Sequence, residues 1–181
     1  MAYVEICGRL LIGAVFLWAV AGKLRGRGSF TAFAESIRAM PGVPKRRLRV
    51  VAALTVTAEA AVPFLLLSEI TAPAGLLLAI GLLAVFVTAI AAALRQRTMA
   101  TCQCFGSAPV TLGRRHLIRN GLLVTVALAA LAGTADQTPA APAGVLIAVS
   151  AGLLGTVLIV FFDELVGLFA APRGALPGRP G

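Results

Sequence analysis

Charge is scarce in this chain: 13% of its 181 residues are Asp, Glu, Lys or Arg, and only 7 are acidic. With 59% of residues hydrophobic, that balance excludes an ordinary soluble globular domain. Aromatics are also few, at 6%, and no signature of a nucleic-acid module is present. The formal net charge of +9 therefore does not mark a nucleic-acid partner, because the basic residues fall in short segments between apolar stretches. Three cysteines are too few for a disulfide scaffold. There is no nucleotide or flavin fingerprint, so no cofactor is evident, and a quinone leaves no short motif by which to recognise it. What the chain has instead is long apolar runs and a mean hydropathy of +0.96. These imply an all-α, polytopic transmembrane bundle with the lipid bilayer as its main partner.

Five stretches approach the roughly 20 residues needed to cross a bilayer core: 4–22, 50–67, 73–94, 117–135 and 144–162. The N-terminal segment MAYVEICGR lacks the basic leader and cleavage site of a secretory signal, so the first stretch is expected to stay as a span. Pro41-Gly42, Pro44, Pro73, Pro139 and Pro142 mark span boundaries, while Pro63 falls inside the second span and is expected to kink it. Lys23, Arg25, Arg27, Arg38, Lys45, Arg46, Arg47 and Arg49 crowd the first loop, and Arg95, Arg97, Arg114, Arg115 and Arg119 the third. The positive-inside rule puts both loops in the cytoplasm, the N-terminus outside and the C-terminus inside. Between the first two spans, Phe30, Phe33, Ile37 and Met40 recur at helical spacing. They predict a short amphipathic helix over 29–40 lying in the interface, the alternative being an ordinary basic loop whose apolar residues pack on the bundle. The Pro/Gly-rich segment 170–181 is expected to be disordered.

Two features carry chemistry. Cys102 and Cys104 sit in Thr101-Cys102-Gln103-Cys104-Phe105-Gly106, just before the fourth span. Thiols two positions apart close a strained, readily reduced disulfide if the backbone turns, which Gly106 favours, and nearby arginines favour the attacking thiolate. The same pair also suits packing in a buried turn, or a soft metal ion. The usual four-ligand zinc set is missing, however, and no metal site is assigned. The second feature is Glu59, a carboxylate inside an apolar span, where such a group is costly and marks either a proton-handling or quinone-contacting role or a structural ion pair. Arg9, at similar depth on the first span, is its expected partner, with Glu5 one turn away as a competitor. Cys7, near the outer end of that span, reads mainly as a packing residue. Lys23 reads as a snorkelling anchor at the inner end of the first span, and His116 as a solvated loop residue.

Taken together, Arg9, FLWAVAGKL at 16–24, Glu59, CQCFGS at 102–107 and RRHLIRN at 114–120 resemble the methylamine-utilisation MauE family, which is related to the DoxX-like membrane proteins. The resemblance covers about residues 4–135. It implies a four-helix membrane domain over 1–135, followed by a fifth C-terminal transmembrane helix within 136–169. It further implies a bacterial plasma membrane location, a link to methylamine metabolism, and a thiol–disulfide redox role in maturing exported disulfide-containing proteins. By this resemblance Cys102 and Cys104 are the redox pair, Glu59 is a functional carboxylate, and Arg9, Phe105 and Gly106 support them. The implied partner is a thioredoxin-like protein or an exported thiol protein. A non-enzymatic assembly scaffold and a small transporter or metal-delivery protein are the alternatives from other classes.

Overall fold

The computed structural model describes residues 1–26, 28–37, 45–95, 101–102, 110–111, 114–135, 141–162 and 165. Five helices are long and apolar enough to cross a membrane: α1 (Ala2–Leu24), α3 (Leu48–Leu66), α4 (Ala72–Arg95), α5 (Arg114–Gly133) and α6 (Pro142–Val160). A shorter helix, α2 (Ser29–Ile37), follows α1, and a 3-10 turn at Lys45–Arg47 leads into α3. The five long helices begin one to three residues before the expected spans. The reason is physical: polar first-turn residues such as Arg49, Arg115 and His116 break the apolar run without breaking the helix, which continues into the headgroup region. Pro73 and Pro142 both stand in the first turn of a helix, where no N–H is required. Pro63 lies inside α3.

Close contacts give the direction of each helix. Gly8 and Gly133 on α1 and α5 meet Ala130 and Glu5 respectively, and Gly75 of α4 meets Leu65 and Leu66 of α3, so both pairs are antiparallel. Gly144, Gly152 and Gly155 of α6 meet Tyr3, Cys7 and Leu11 of α1 in the same order, so α6 runs parallel to α1. The chain thus crosses in alternating directions. One end of the bundle gathers Lys23, Arg25, Arg46, Arg47, Arg49, Arg95 and Arg115 and is called the basic end below.

The hydrophobic core joins Ile12, Val15 and Phe16 of α1 to Val62 and Leu66 of α3, Leu76, Ala79 and Leu83 of α4, and Leu123, Ala127 and Ala130 of α5. These four helices form the central bundle, and α6 docks outside it along α1. Large aliphatic side chains such as Leu54, Leu77, Val85, Leu128, Leu146 and Leu154 stay exposed. On a polytopic helical bundle that surface faces lipid. α2 is the amphipathic helix expected from the sequence, and its buried Phe33, Ala34 and Ile37 pack with Val20, Leu48, Ala52 and Val56. The helix is as expected but its setting is not: the apolar face rests on the bundle instead of lying in the interface, because α1 and α3 offer it an apolar surface to cover. Met40, residues 136–140 between α5 and α6, and the 170–181 segment lie outside the described residues.

Lipid supplies no hydrophobic force to hold α6 against α1, so close packing of small residues has to do so. At Gly152 a Cβ would stand 2.9 Å from the Cys7 carbonyl oxygen, whereas at Gly121 of α5 nothing lies within 4 Å. Gly152→Leu should accordingly destabilise the protein by about 1–3 kcal/mol through overpacking, while Gly121→Ala should leave stability unchanged or slightly raised. Thermal unfolding of the full chain in detergent reads both.

Candidate functional site

Among the described residues, the most buried polar side chains meet between α1 and α3. The Lys23 ammonium donates to both carboxylate oxygens of Glu59 at 2.5 Å, and each side chain is 1% exposed. Lys23 is next to the last residue of α1, and Glu59 is in the middle of α3. They meet because of the stagger between the helices. A Cβ at Gly13 would stand 3.7 Å from the Leu66 side chain, so on antiparallel helices Lys23 comes level with about Val56, one turn short of Glu59. The four-carbon stem of lysine closes that gap by reaching inward.

This corrects the reading of Lys23 as a snorkelling anchor. Snorkelling requires open water above the helix end, and here α2 covers that end. The Lys23 nitrogen sits 4.7 Å from the Phe33 ring centroid of α2 and 5.8 Å from that of Phe86 on α4. Two aromatic faces thus complete the ammonium's surroundings. Glu59 also lines a small, almost wholly apolar cavity with Val15, Phe16 and Ala19 of α1, Leu83 and Phe86 of α4, and Asn120 and Leu123 of α5. It has room for about one water-sized sphere. Pro63, four residues after Glu59, has no N–H to offer the Glu59 carbonyl.

The expected Arg9–Glu59 pair does not form. Arg9 donates through Nε and Nη2 to the Leu66 carbonyl, at 3.2 and 2.7 Å, and through Nη1 to Glu5, at 3.1 Å. Leu66 ends α3, and a terminal carbonyl without a helical donor is a strong acceptor in an apolar setting. Glu59 is seven residues away, about 10 Å along the helix, beyond what the guanidinium spans once Leu66 and Glu5 hold it. Glu5, the competitor one turn away on α1, takes the remaining contact.

The thiol segment is described only at its edges. Thr101–Cys102 forms a two-residue strand, β1, paired antiparallel with β2 (Val110–Thr111), with Thr101 opposite Thr111 and Cys102 opposite Val110. The chain therefore reverses between Cys102 and Val110, and β1 lies near α2 at the basic end. Cys104, Phe105 and Gly106 lie outside the described residues. Cys7 is a half-buried free thiol toward the opposite end of α1, beside α6. Among the described residues no three His, Cys, Asp or Glu side chains gather as a metal set. His116 is buried in the first turn of α5, as are Arg119 and Asn120 one turn on, because α5 starts earlier than its apolar run and turns these residues into the bundle.

Lys23 as the partner of Glu59, and Asn120, Phe33 and Phe86 around them, were not singled out from the sequence. The available signal was the need of a buried carboxylate for a cation, combined with a second basic residue at the end of the first span.

A four-helix membrane core with a buried ion pair, an amphipathic helix over its basic end and an added lipid-facing helix defines this as a polytopic helical membrane protein. The family model described as methylamine utilisation protein MauE matches residues 1–133, and the chain belongs to that family. The match ends where α5 ends, so α6 lies beyond it. No curated protein and no solved structure shows a significant match.

The ion pair makes a sharp stability test. Lys23→Met leaves the Glu59 carboxylate without its cation in an apolar site and should cost about 3–5 kcal/mol. The double variant Lys23→Met/Glu59→Gln removes both charges and should recover most of that loss. Unfolding midpoints of the single and double variants in lipid–detergent mixtures measure the difference.

Proposed function

We propose that this protein is a membrane thiol–disulfide redox component in which Cys102 and Cys104 cycle between dithiol and disulfide. The observation that carries the reading is the pair of thiols with one residue between them just before α5, with Cys102 in β1, antiparallel to β2 and near α2 at the basic end. Thiols at that spacing close a strained, readily reduced disulfide when the backbone turns between them. In the direction that reduces the partner, one thiolate attacks the partner's disulfide, and the second resolves the mixed disulfide. The partner leaves as a dithiol, carrying two electrons and two protons, and the bond between Cys102 and Cys104 closes. In the reverse sequence a partner thiolate attacks the Cys102–Cys104 disulfide, and the partner leaves oxidised. The concentration of arginine around the segment favours the attacking thiolate.

Positive-inside counting places the basic end, and with it the thiols, on the cytoplasmic side of the plasma membrane. The partner reached there is a thioredoxin-like protein, and the segment serves to pass reducing equivalents. Maturation of an exported disulfide-containing protein, in methylamine metabolism or elsewhere, requires the thiols on the outer face. Membership of a family described by methylamine utilisation supports that setting without specifying the substrate.

One experiment separates these versions. Cys102 and Cys104 are labelled with a membrane-impermeant maleimide in a Cys7→Ser background, before and after reduction and before and after permeabilisation. Labelling only after permeabilisation is expected; labelling of intact cells after reduction alone reverses the orientation and favours exported substrates. Cys102→Ser and Cys104→Ser should each abolish activity at unchanged membrane abundance. Full activity of both variants would leave a scaffold as the better reading.

A further inference from the structure

We propose that the basic end of α3 is a binding site for an anionic phospholipid, in which Arg46, Arg47, Arg49 and Arg95 hold the headgroup phosphate and the uncovered face of α3 below them holds an acyl chain. The site stands independently of whether the cysteines turn over.

Three exposed arginines fall where α3 begins, Arg46 and Arg47 in the 3-10 turn and Arg49 in the first helical turn. A fourth comes from α4. A Cβ at Gly75 would meet Leu65 and Leu66 of α3, so on these antiparallel helices the exposed Arg95 comes level with about Arg46. Among the described residues none of the four makes an ion pair. The three on α3 repel one another and add positive charge at the positive end of that helix, so the cluster is unfavourable until an anion joins it.

The surface beneath the cluster selects the kind of anion. α3 turns Leu48, Ala52 and Val56 toward α2, while Val50, Ala53, Leu54 and Thr57 lie on the opposite face and stay exposed. That face runs for about 10 Å along the helix, starting one residue after Arg49. On a membrane bundle it meets acyl chains, and the arginines at its upper edge stand at headgroup level. A phospholipid matches both parts at once: its phosphate suits the forked guanidinium donors, and its chain lies along Val50 and Leu54. A free phosphate ion or an acidic protein would use the charge and leave the apolar face unused.

The test is native mass spectrometry of the full chain released from detergent micelles doped with equal amounts of phosphatidylglycerol and phosphatidylcholine. Retention of phosphatidylglycerol over phosphatidylcholine by about tenfold or more is expected for four basic residues at a charged headgroup. The preference should fall toward parity in Arg46→Gln/Arg47→Gln/Arg49→Gln and persist in Arg115→Gln, which removes an exposed arginine at the start of α5. If the triple variant does not accumulate, Arg47→Gln alone should lower the preference severalfold. Phosphate ion added to the micelles at matched ionic strength should not displace the lipid. Equal retention of the two lipids by the wild-type chain, or an undiminished preference in the arginine variants of α3, would overturn the proposal and leave the cluster to an acidic protein partner or to membrane orientation alone. Displacement by phosphate ion would overturn the role of the apolar face.

Discussion

The Lys23–Glu59 ion pair is the constraint around which this bundle is arranged. Two charges in an apolar core are tolerated only when each is well satisfied, because the desolvation of either amounts to several kcal/mol. Here the ammonium meets both carboxylate oxygens and two aromatic rings. Those contacts are satisfied only at the stagger of α1 against α3 that side-chain packing sets. They also explain α2: an open helix end would let water reach Lys23, and the apolar face of α2, led by Phe33, closes it.

At the other end of the same two helices, Arg9 holds the last carbonyl of α3. α1 and α3 are thus pinned by polar contacts at two levels, with apolar packing between. Elsewhere α1 relies on small residues, meeting α5 through Gly8 and Ala130 and α6 through Gly152 and Gly155. In lipid, where apolar burial gives little advantage over contact with acyl chains, close approach and a few polar contacts are the available sources of helix association. Tyr3 adds one of these, accepting a hydrogen bond from the Ala141 backbone at the start of α6.

The two chemical features are neighbours in the architecture although they are far apart in sequence. β1, which carries Cys102, lies near α2, and α2 supplies the ring over Lys23. A single short helix therefore stands between the thiol segment and the buried charges. Cys7 belongs to neither, being toward the opposite end of α1 and beside α6.

The sequence by itself determined the class of fold, because apolar runs of bilayer length can be satisfied only by spanning helices. It also determined the amphipathic helix after the first span, through the spacing of Phe30, Phe33 and Ile37, and it marked Glu59 as a residue that needs an explanation. The partner of Glu59 was decided only by the tertiary structure. Arg9 and Lys23 both carry the required charge, and choosing between them takes the stagger of two helices, which side-chain packing sets and periodicity does not reveal. The same holds for His116 and Asn120, polar in sequence yet buried, because the start of α5 is turned into the bundle. One-dimensional pattern records how apolar each turn is; which turn of one helix faces which turn of another is settled by contacts between residues distant in the chain.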